Sequence, residues 1–260
     1  MPEQGWASAI TSVAPNEIRV RGYRIDELMG RVSFGEAVYL ILRGELPGDA
    51  VGKLVEAMIV ASVDHGVTPP STLAVRNAAT TGAPLNACLA AGALAVNKHH
   101  GGAVEDCMRL LSRGAARVQA GEAAAVAATA LIGEEKAAGR RLPGFGHRIH
   151  TDDPRSHRLL TLAKEAGASG PHVAVAEAIV AALAKGGKAL PLNVDGAIAA
   201  VLADLGFAPE LANGFFILAR TAGWMAHVAE ELQREKPMRR IDQQACVYDG
   251  ARPRELSSSR

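Results

Sequence analysis

From about residue 33 onward, apolar positions recur every three or four residues, the period of helices buried along one face. The pattern predicts helices over 34–43, 49–64, 71–79, 85–98, 103–113, 122–138, 154–166, 171–185, 195–205 and 209–234. Local chemistry marks several ends. Ser33 and Glu36 have the spacing of a capping box, and Gly44 supplies the stop. Gly101-Gly102 breaks the chain before 103. Asp153 is a natural N-cap, followed by Pro154 at the favoured first helical position. Ahead of the helices, residues 17–25 alternate in polarity around Gly22 and predict a small hairpin. Thr68-Pro69-Pro70-Ser71 predicts a loop, and the polar stretch 249–260 a frayed tail. No fixed-period repeat is present.

The fold class expected from this pattern is all-α. Aromatic residues make up only 4% of the 260 positions and alanine is abundant, which favours closely packed helices over a β-sandwich. The length admits one large domain or two small ones, with a sizeable core. A net charge of +1 argues against nucleic acid as a partner. No apolar run reaches membrane-spanning length, and residues 1–11 lack the pattern of a secretory signal, so a cytoplasmic protein without a membrane partner is expected. Cys88, Cys107 and Cys246 are odd in number and lack CxxC spacing, which suits reduced thiols.

The stretch Pro143-Gly144-Phe145-Gly146-His147 through Asp152-Asp153-Pro154-Arg155 carries the strongest chemical signal. Two glycines permit a tight turn, so His147 is expected on a rigid loop facing open space with Arg155 nearby. That pairs a proton-transfer group with a carboxylate-binding group. His65, in Asp-His-Gly, and His100, in His-His-Gly-Gly, also stand beside glycine and are poised rather than packed. His227, on the last helix, fits a core position. Asp195, in Leu-Asn-Val-Asp-Gly, is either a helix cap or a carboxylate held at a helix start. Arg220, inside Phe215-Phe216-Ile217-Leu218-Ala219-Arg220, needs an anion: a buried salt bridge or a bound carboxylate. A metal site built on His99-His100 with His65 or His147 is a weak alternative, because no HExxH spacing occurs. Phosphate-loop and GxSxG motifs are absent.

As an ordered set, His100-Gly101-Gly102-Ala103, Pro-Gly-Phe-Gly-His with Asp-Pro-Arg, Asn193-Val194-Asp195, and Ala219-Arg220-Thr221-Ala222-Gly223-Trp224 with His227 resemble the citrate synthase superfamily, over roughly residues 17–250. Asp64-His65-Gly66, Leu192-Asn193-Val194-Asp195-Gly196 and Asn213 to Arg220 are similar to the short citryl-CoA lyases and the C-terminal lyase module of ATP-citrate lyase. The family's Arg-Pro-Arg before a Tyr-x-Gly is missing here: Gln243-Gln244-Ala245 precedes Tyr248-Asp249-Gly250.

The resemblance implies a large helical domain (1–102 and 196–260) and a small one (103–195), with the active site in the cleft. It implies that His100 donates to the thioester oxygen, that His147 handles the proton on the oxaloacetate-derived oxygen, and that Asp195 exchanges the proton on the acetyl carbon. His65, Arg155 and Arg220 would hold the dicarboxylate. The implied function is cleavage of citryl-CoA, or a related 3-hydroxyacyl-CoA, to acetyl-CoA and oxaloacetate. The alternatives are a short citrate or 2-methylcitrate synthase and a non-catalytic acyl-CoA-binding subunit. A homodimer or higher homo-oligomer follows from the same resemblance, with a citryl-CoA synthetase as a candidate partner. No bound metal or cofactor is implied, since the coenzyme A thioester is substrate.

Overall fold

The computed structural model describes residues 5–146, 151–187, 190–240 and 242–255. Among these, eleven α-helices follow a three-stranded antiparallel sheet of order β1-β2-β3. The strands are β1 (Thr11–Ala14), β2 (Glu17–Val20) and β3 (Tyr23–Arg24). The expected hairpin is the β2–β3 pair, with Val20 opposite Tyr23. Its turn places Arg21 at φ 48° and Gly22 at φ 88°, the positive angles that a tight two-residue hairpin requires. Strand β1 adds a third strand that was not expected beside that hairpin, within a mostly helical fold. It is exposed throughout and pairs with β2 from Thr11↔Val20 to Ala14↔Glu17. With no face buried it carries no apolar alternation to detect.

The helices are α1 (Ile25–Leu28), α2 (Phe34–Arg43), α3 (Asp49–Ala61), α4 (Pro70–Thr80), α5 (Leu85–Leu94), α6 (Ala103–Gln119), α7 (Ala124–Ala137), α8 (Pro154–Glu165), α9 (Pro171–Lys185), α10 (Val194–Asp204) and α11 (Pro209–Arg234). The capping box of α2 is complete: Glu36 N donates to Ser33 Oγ at 3.2 Å and Ser33 N donates to Glu36 Oε2 at 2.7 Å. Four boundaries differ from expectation for physical reasons. Helix α3 ends at Ala61 rather than 64, and the Ser62 carbonyl accepts Arg220 Nε at 2.9 Å. Helix α4 begins at Pro70, which takes the first helical position instead of lying in a loop. Helix α5 stops at Leu94 because Asn97 and His100 exchange backbone hydrogen bonds of 2.7 and 2.8 Å in a tight turn. Helix α6 runs on through Gly114, where a Cβ would fall 2.7 Å from Val175 Cγ1 and 2.8 Å from Leu131 Cδ1. The glycine there permits close helix packing and does not mark an end.

One core cluster joins α3 with α6 to α10, together with Phe207 and Phe215. A second, formed by Val75, Ala79, Cys88, Trp224 and Val228, joins α4, α5 and α11. Helix α10 packs against α6, α8 and α9 and also meets α11. Its C-terminal residue, Asp204, accepts the N–H groups of Gly170, His172 and Val173 and lies 2.7 Å from His172 Nδ1. That staple caps α9 and fixes the axis of α10, whose other end carries Asp195. Among the described residues, no helix is long and apolar enough to cross a membrane.

Candidate active site

Four segments converge where α10 begins. The loop before residue 147 is laced to the segment entering α10. Gly146 N donates to the Pro191 carbonyl at 2.7 Å, Asn193 N to the Gly144 carbonyl at 3.0 Å, and Asn193 Nδ2 to the Gly146 carbonyl at 2.9 Å. Gly144 and Gly146 take φ values of 80° and 84°. A Cβ on Gly144 would meet Cys107 Sγ at 2.5 Å and Gly196 Cα at 2.8 Å, so the turn lies tight against α6 and α10. His147, assigned the oxaloacetate-derived oxygen in the sequence reading, lies outside the described residues.

Asn193 also caps α10, accepting Gly196 N at 3.0 Å. Asp195 is therefore not the cap, and its carboxylate is left for other work at the helix start. Its edge reaches solvent but it sits deep in the protein. Burial pushes its carboxyl up, Arg155 and Arg220 pull it down, and Asp153 pushes it up again. Arg155 is gripped by Asp153, through Nε at 3.0 Å and Nη2 at 2.9 Å.

Arg220 is buried, with 4% of its surface exposed. Nε donates to the Ser62 carbonyl, and the guanidinium lies 4.6 Å from the Phe216 ring centroid. Among the described residues Nη1 is buried without a hydrogen-bond partner, and Arg220 forms no salt bridge. Burial opposes its charge, Asp64 and Asp195 support it, and Arg155 opposes it. A buried cation with an unused donor is costly, and an anion within reach of Nη1 would satisfy it.

His100 leaves the tight turn after α5. Its Nε2 lies 2.7 Å from Ser71 Oγ, and its ring stands edge-to-face on Phe216 at 5.7 Å. Ser71 Oγ also accepts Trp224 Nε1–H at 3.3 Å. An indole only donates, whereas a hydroxyl both donates and accepts, so Ser71 holds His100 Nε2 in either tautomer, and when the hydroxyl donates to Nε2 the imidazole hydrogen sits on Nδ1. Burial and then the charge of Arg220 lower the His100 pKa, which favours the neutral ring.

His65 is exposed on the loop after α3. Its neighbour Asp64 accepts Gly66 N at 2.9 Å and lies 3.0 Å from His227 Nε2, while the backbone and His227 hold its carboxyl low against burial. His227 is buried, as its core position suggested. The structure thus brings His100, Arg155, Asp195 and Arg220 into one electrostatic neighbourhood, with His65 beside it through Asp64. The sequence reading overlooked Ser71, Phe216 and the double role of Asp153. A signal was available on α11, where Phe216, Arg220, Trp224 and His227 fall on one helical stripe. Among the described residues no group of three His, Cys, Asp or Glu side chains is placed to hold a metal.

Comparison with known proteins shows the family and the fold. Residues 48–241 match the family model described as citrate synthase, C-terminal domain. A "Putative citrate synthase 2" of Mycobacterium bovis is 33% identical over 212 residues, covering 78% of this chain and 53% of that protein. The structure of a citryl-CoA lyase from Hydrogenobacter thermophilus superposes with a TM-score of 0.87 at 42% identity, covering 96% of this chain and 97% of that one. A Methanosaeta concilii ATP citrate lyase, a D541A mutant in complex with (3S)-citryl-CoA, shares the fold at a TM-score of 0.82 and 23% identity, over 98% of this chain and 43% of that one. The chain belongs to the citrate synthase family, and spans about half the length of the mycobacterial relative or less of other curated relatives.

Proposed function

We propose that the chain is a carbon–carbon lyase that cleaves citryl-CoA, or a close 3-hydroxyacyl-CoA relative, to acetyl-CoA and oxaloacetate. The observation that carries this reading is the buried Arg220, whose Nη1 has no partner among the described residues, set beside Asp195 and Arg155. Arg220 and Arg155, with His65 at the rim, hold the dicarboxylate end. His147 takes the hydroxyl proton of the substrate. The electron pair of the breaking carbon–carbon bond moves onto the thioester to form an enolate. His100 Nδ1–H donates to the enolate oxygen, a contribution of about a hundred- to a thousandfold for a single oxyanion donor. Asp195, whose carboxyl burial pushes up, returns the proton to carbon. These steps need no metal or redox group, and coenzyme A enters as part of the substrate.

The reading places the cleft between segment 103–195 and the rest of the chain, with α10 on the seam. It also takes the chain to be a homodimer. Apart from Asn86, helix α5 is built of apolar and small residues, yet Leu85 and Leu94 remain 45% and 79% exposed, and a helix of that composition calls for cover on both faces. A partner that supplies citryl-CoA fits a lyase that does not make its own substrate.

The test is to supply citryl-CoA and follow oxaloacetate with malate dehydrogenase while a thiol reagent reports free coenzyme A. Oxaloacetate formed faster than coenzyme A, unaffected by chelator, is the expected result. Prompt coenzyme A release with little oxaloacetate would replace this reading with a short citrate synthase, and an absolute metal requirement would remove both.

A further inference from the structure

Asp153 is buried at 1% exposure, and its two oxygens accept four N–H groups. Oδ1 takes Arg155 N at 3.1 Å and Arg155 Nε at 3.0 Å. Oδ2 takes Arg155 Nη2 at 2.9 Å and, from across the fold, Val194 N at 3.2 Å. The Arg155 backbone bond is the ordinary N-cap of α8. The Val194 bond satisfies an orphan donor at the start of another helix, α10, one residue before Asp195. Capping alone would be served by serine or asparagine. A carboxylate supplies both the two-pronged grip on a guanidinium and a second acceptor oxygen for Val194 N.

We propose that Asp153 is a positioning residue that locks Arg155 and the start of α10 into one unit, so that the carboxylate-binding arginine and the proton-transferring aspartate share a single anchor. The inference rests on the lyase reading for its kinetic consequences alone. Its geometric content is independent of the reaction. The clamp holds the Arg155 guanidinium in one plane and offsets part of its charge. Among the described residues, the ionisable groups facing Asp195 are Arg155 from α8, Asp153 from the α8 cap, Arg220 from α11 and the buried Cys107 thiol from α6. Removing the Asp153 charge leaves the two arginines facing Asp195 with less opposition, which favours its anion.

The test compares wild type with Asp153→Asn, which keeps one acceptor oxygen for the cap but loses the charge and the second acceptor that Val194 N uses. The carboxyl titration of Asp195 is followed by carbon NMR on aspartate-labelled protein without ligand, and assigned with Asp195→Asn. The expected result is a fall in the Asp195 midpoint by about one pH unit, the size of a neighbouring-charge effect. Arg155→Gln is expected to move the midpoint upward. With citryl-CoA, Asp153→Asn should raise KM about tenfold or more and move the alkaline limb of kcat to lower pH. If Asp153→Asn does not fold, Asp153→Ser retains the cap and takes its place in the titration. An unmoved Asp195 midpoint, together with a wild-type pH profile and only a lower melting temperature, would overturn the proposal and leave Asp153 a cap. Wild-type protein inactive on citryl-CoA would count against the lyase reading, while the ligand-free titration would still decide the clamp.

Discussion

Ser71 Oγ lies 2.7 Å from His100 Nε2, and a hydroxyl that donates there leaves the one hydrogen of that imidazole on the opposite nitrogen, as the lyase reading requires. Ser71 is itself fixed by Trp224. Replacing Ser71 with alanine frees the tautomer and leaves a buried indole N–H unpaired. We expect kcat for citryl-CoA cleavage to fall about ten- to a hundredfold, part of what an oxyanion donor contributes. Stability should fall by about 1–3 kcal/mol, the cost of a buried unsatisfied donor. Steady-state kinetics and urea unfolding measure the two effects separately. A kcat within twofold of wild type would remove Ser71 from the mechanism.

Asp195 carries a sign that depends on the direction of reaction. Its carboxyl is raised by burial against the pull of Arg155 and Arg220, so it keeps its proton to higher pH than an ordinary carboxylate. Cleavage needs the protonated form and should decline as pH rises through that raised value. Condensation needs the anion and should decline as pH falls through it. Asp195→Asn removes both and should lower kcat about a hundred- to ten-thousandfold, with binding of the coenzyme A thioester largely kept. The measurement is kcat against pH in both directions. Matching profiles in the two directions, or a mutant within a few-fold of wild type, would take Asp195 out of proton transfer.

Where local chemistry dictates structure, the chain was legible. Ser33 with Glu36, and Asp153 with Pro154, marked helix starts that the structure keeps to the residue. The motifs around His100, Arg155, Asp195 and Arg220 indicated a shared site before any geometry was known. Long-range contacts were not legible. The unwinding after Ala61 is tied to a guanidinium more than 150 residues away, Arg220. The role of Ser71 depends on Trp224 and His100, both distant in sequence, and Val194 N reaches Asp153 across a gap of 41 residues. Asn193, two residues before Asp195, took the cap that the sequence could equally have given to the aspartate.

Gly114 illustrates the same point energetically. Exposed in a helix, Gly→Ala is worth about 1 kcal/mol of stability. Here the new methyl would meet Val175 and Leu131 at 2.7 and 2.8 Å inside the core, and overpacking of that kind costs about 1–3 kcal/mol. The steric cost wins, so Gly114→Ala should be destabilising by up to about 2 kcal/mol in urea unfolding. A stabilised variant would mean that α6 and α9 can separate without loss.

Arg220 gives the sharpest separation of stability from function. Without ligand it is a buried cation whose Nη1 has no partner among the described residues, held by one carbonyl and one ring face. Arg220→Leu removes that desolvated charge while keeping an apolar filling against Phe216, so ligand-free stability should change by no more than about 1 kcal/mol. Binding should respond differently. A substrate carboxylate left without its buried partner loses about 2–5 kcal/mol, which is roughly thirty- to several-thousandfold in oxaloacetate affinity, while affinity for the coenzyme A thioester stays near wild type. Arg220→Lys should recover only part of the loss, because a point charge cannot reproduce a planar fork reaching both Ser62 and a carboxylate. Calorimetric titration with oxaloacetate and with acetyl-CoA, alongside thermal unfolding, distinguishes the outcomes. Equal weakening of both ligands with a marked fall in melting temperature would make Arg220 a structural residue, and would leave Arg155 as the cation on which carboxylate recognition depends.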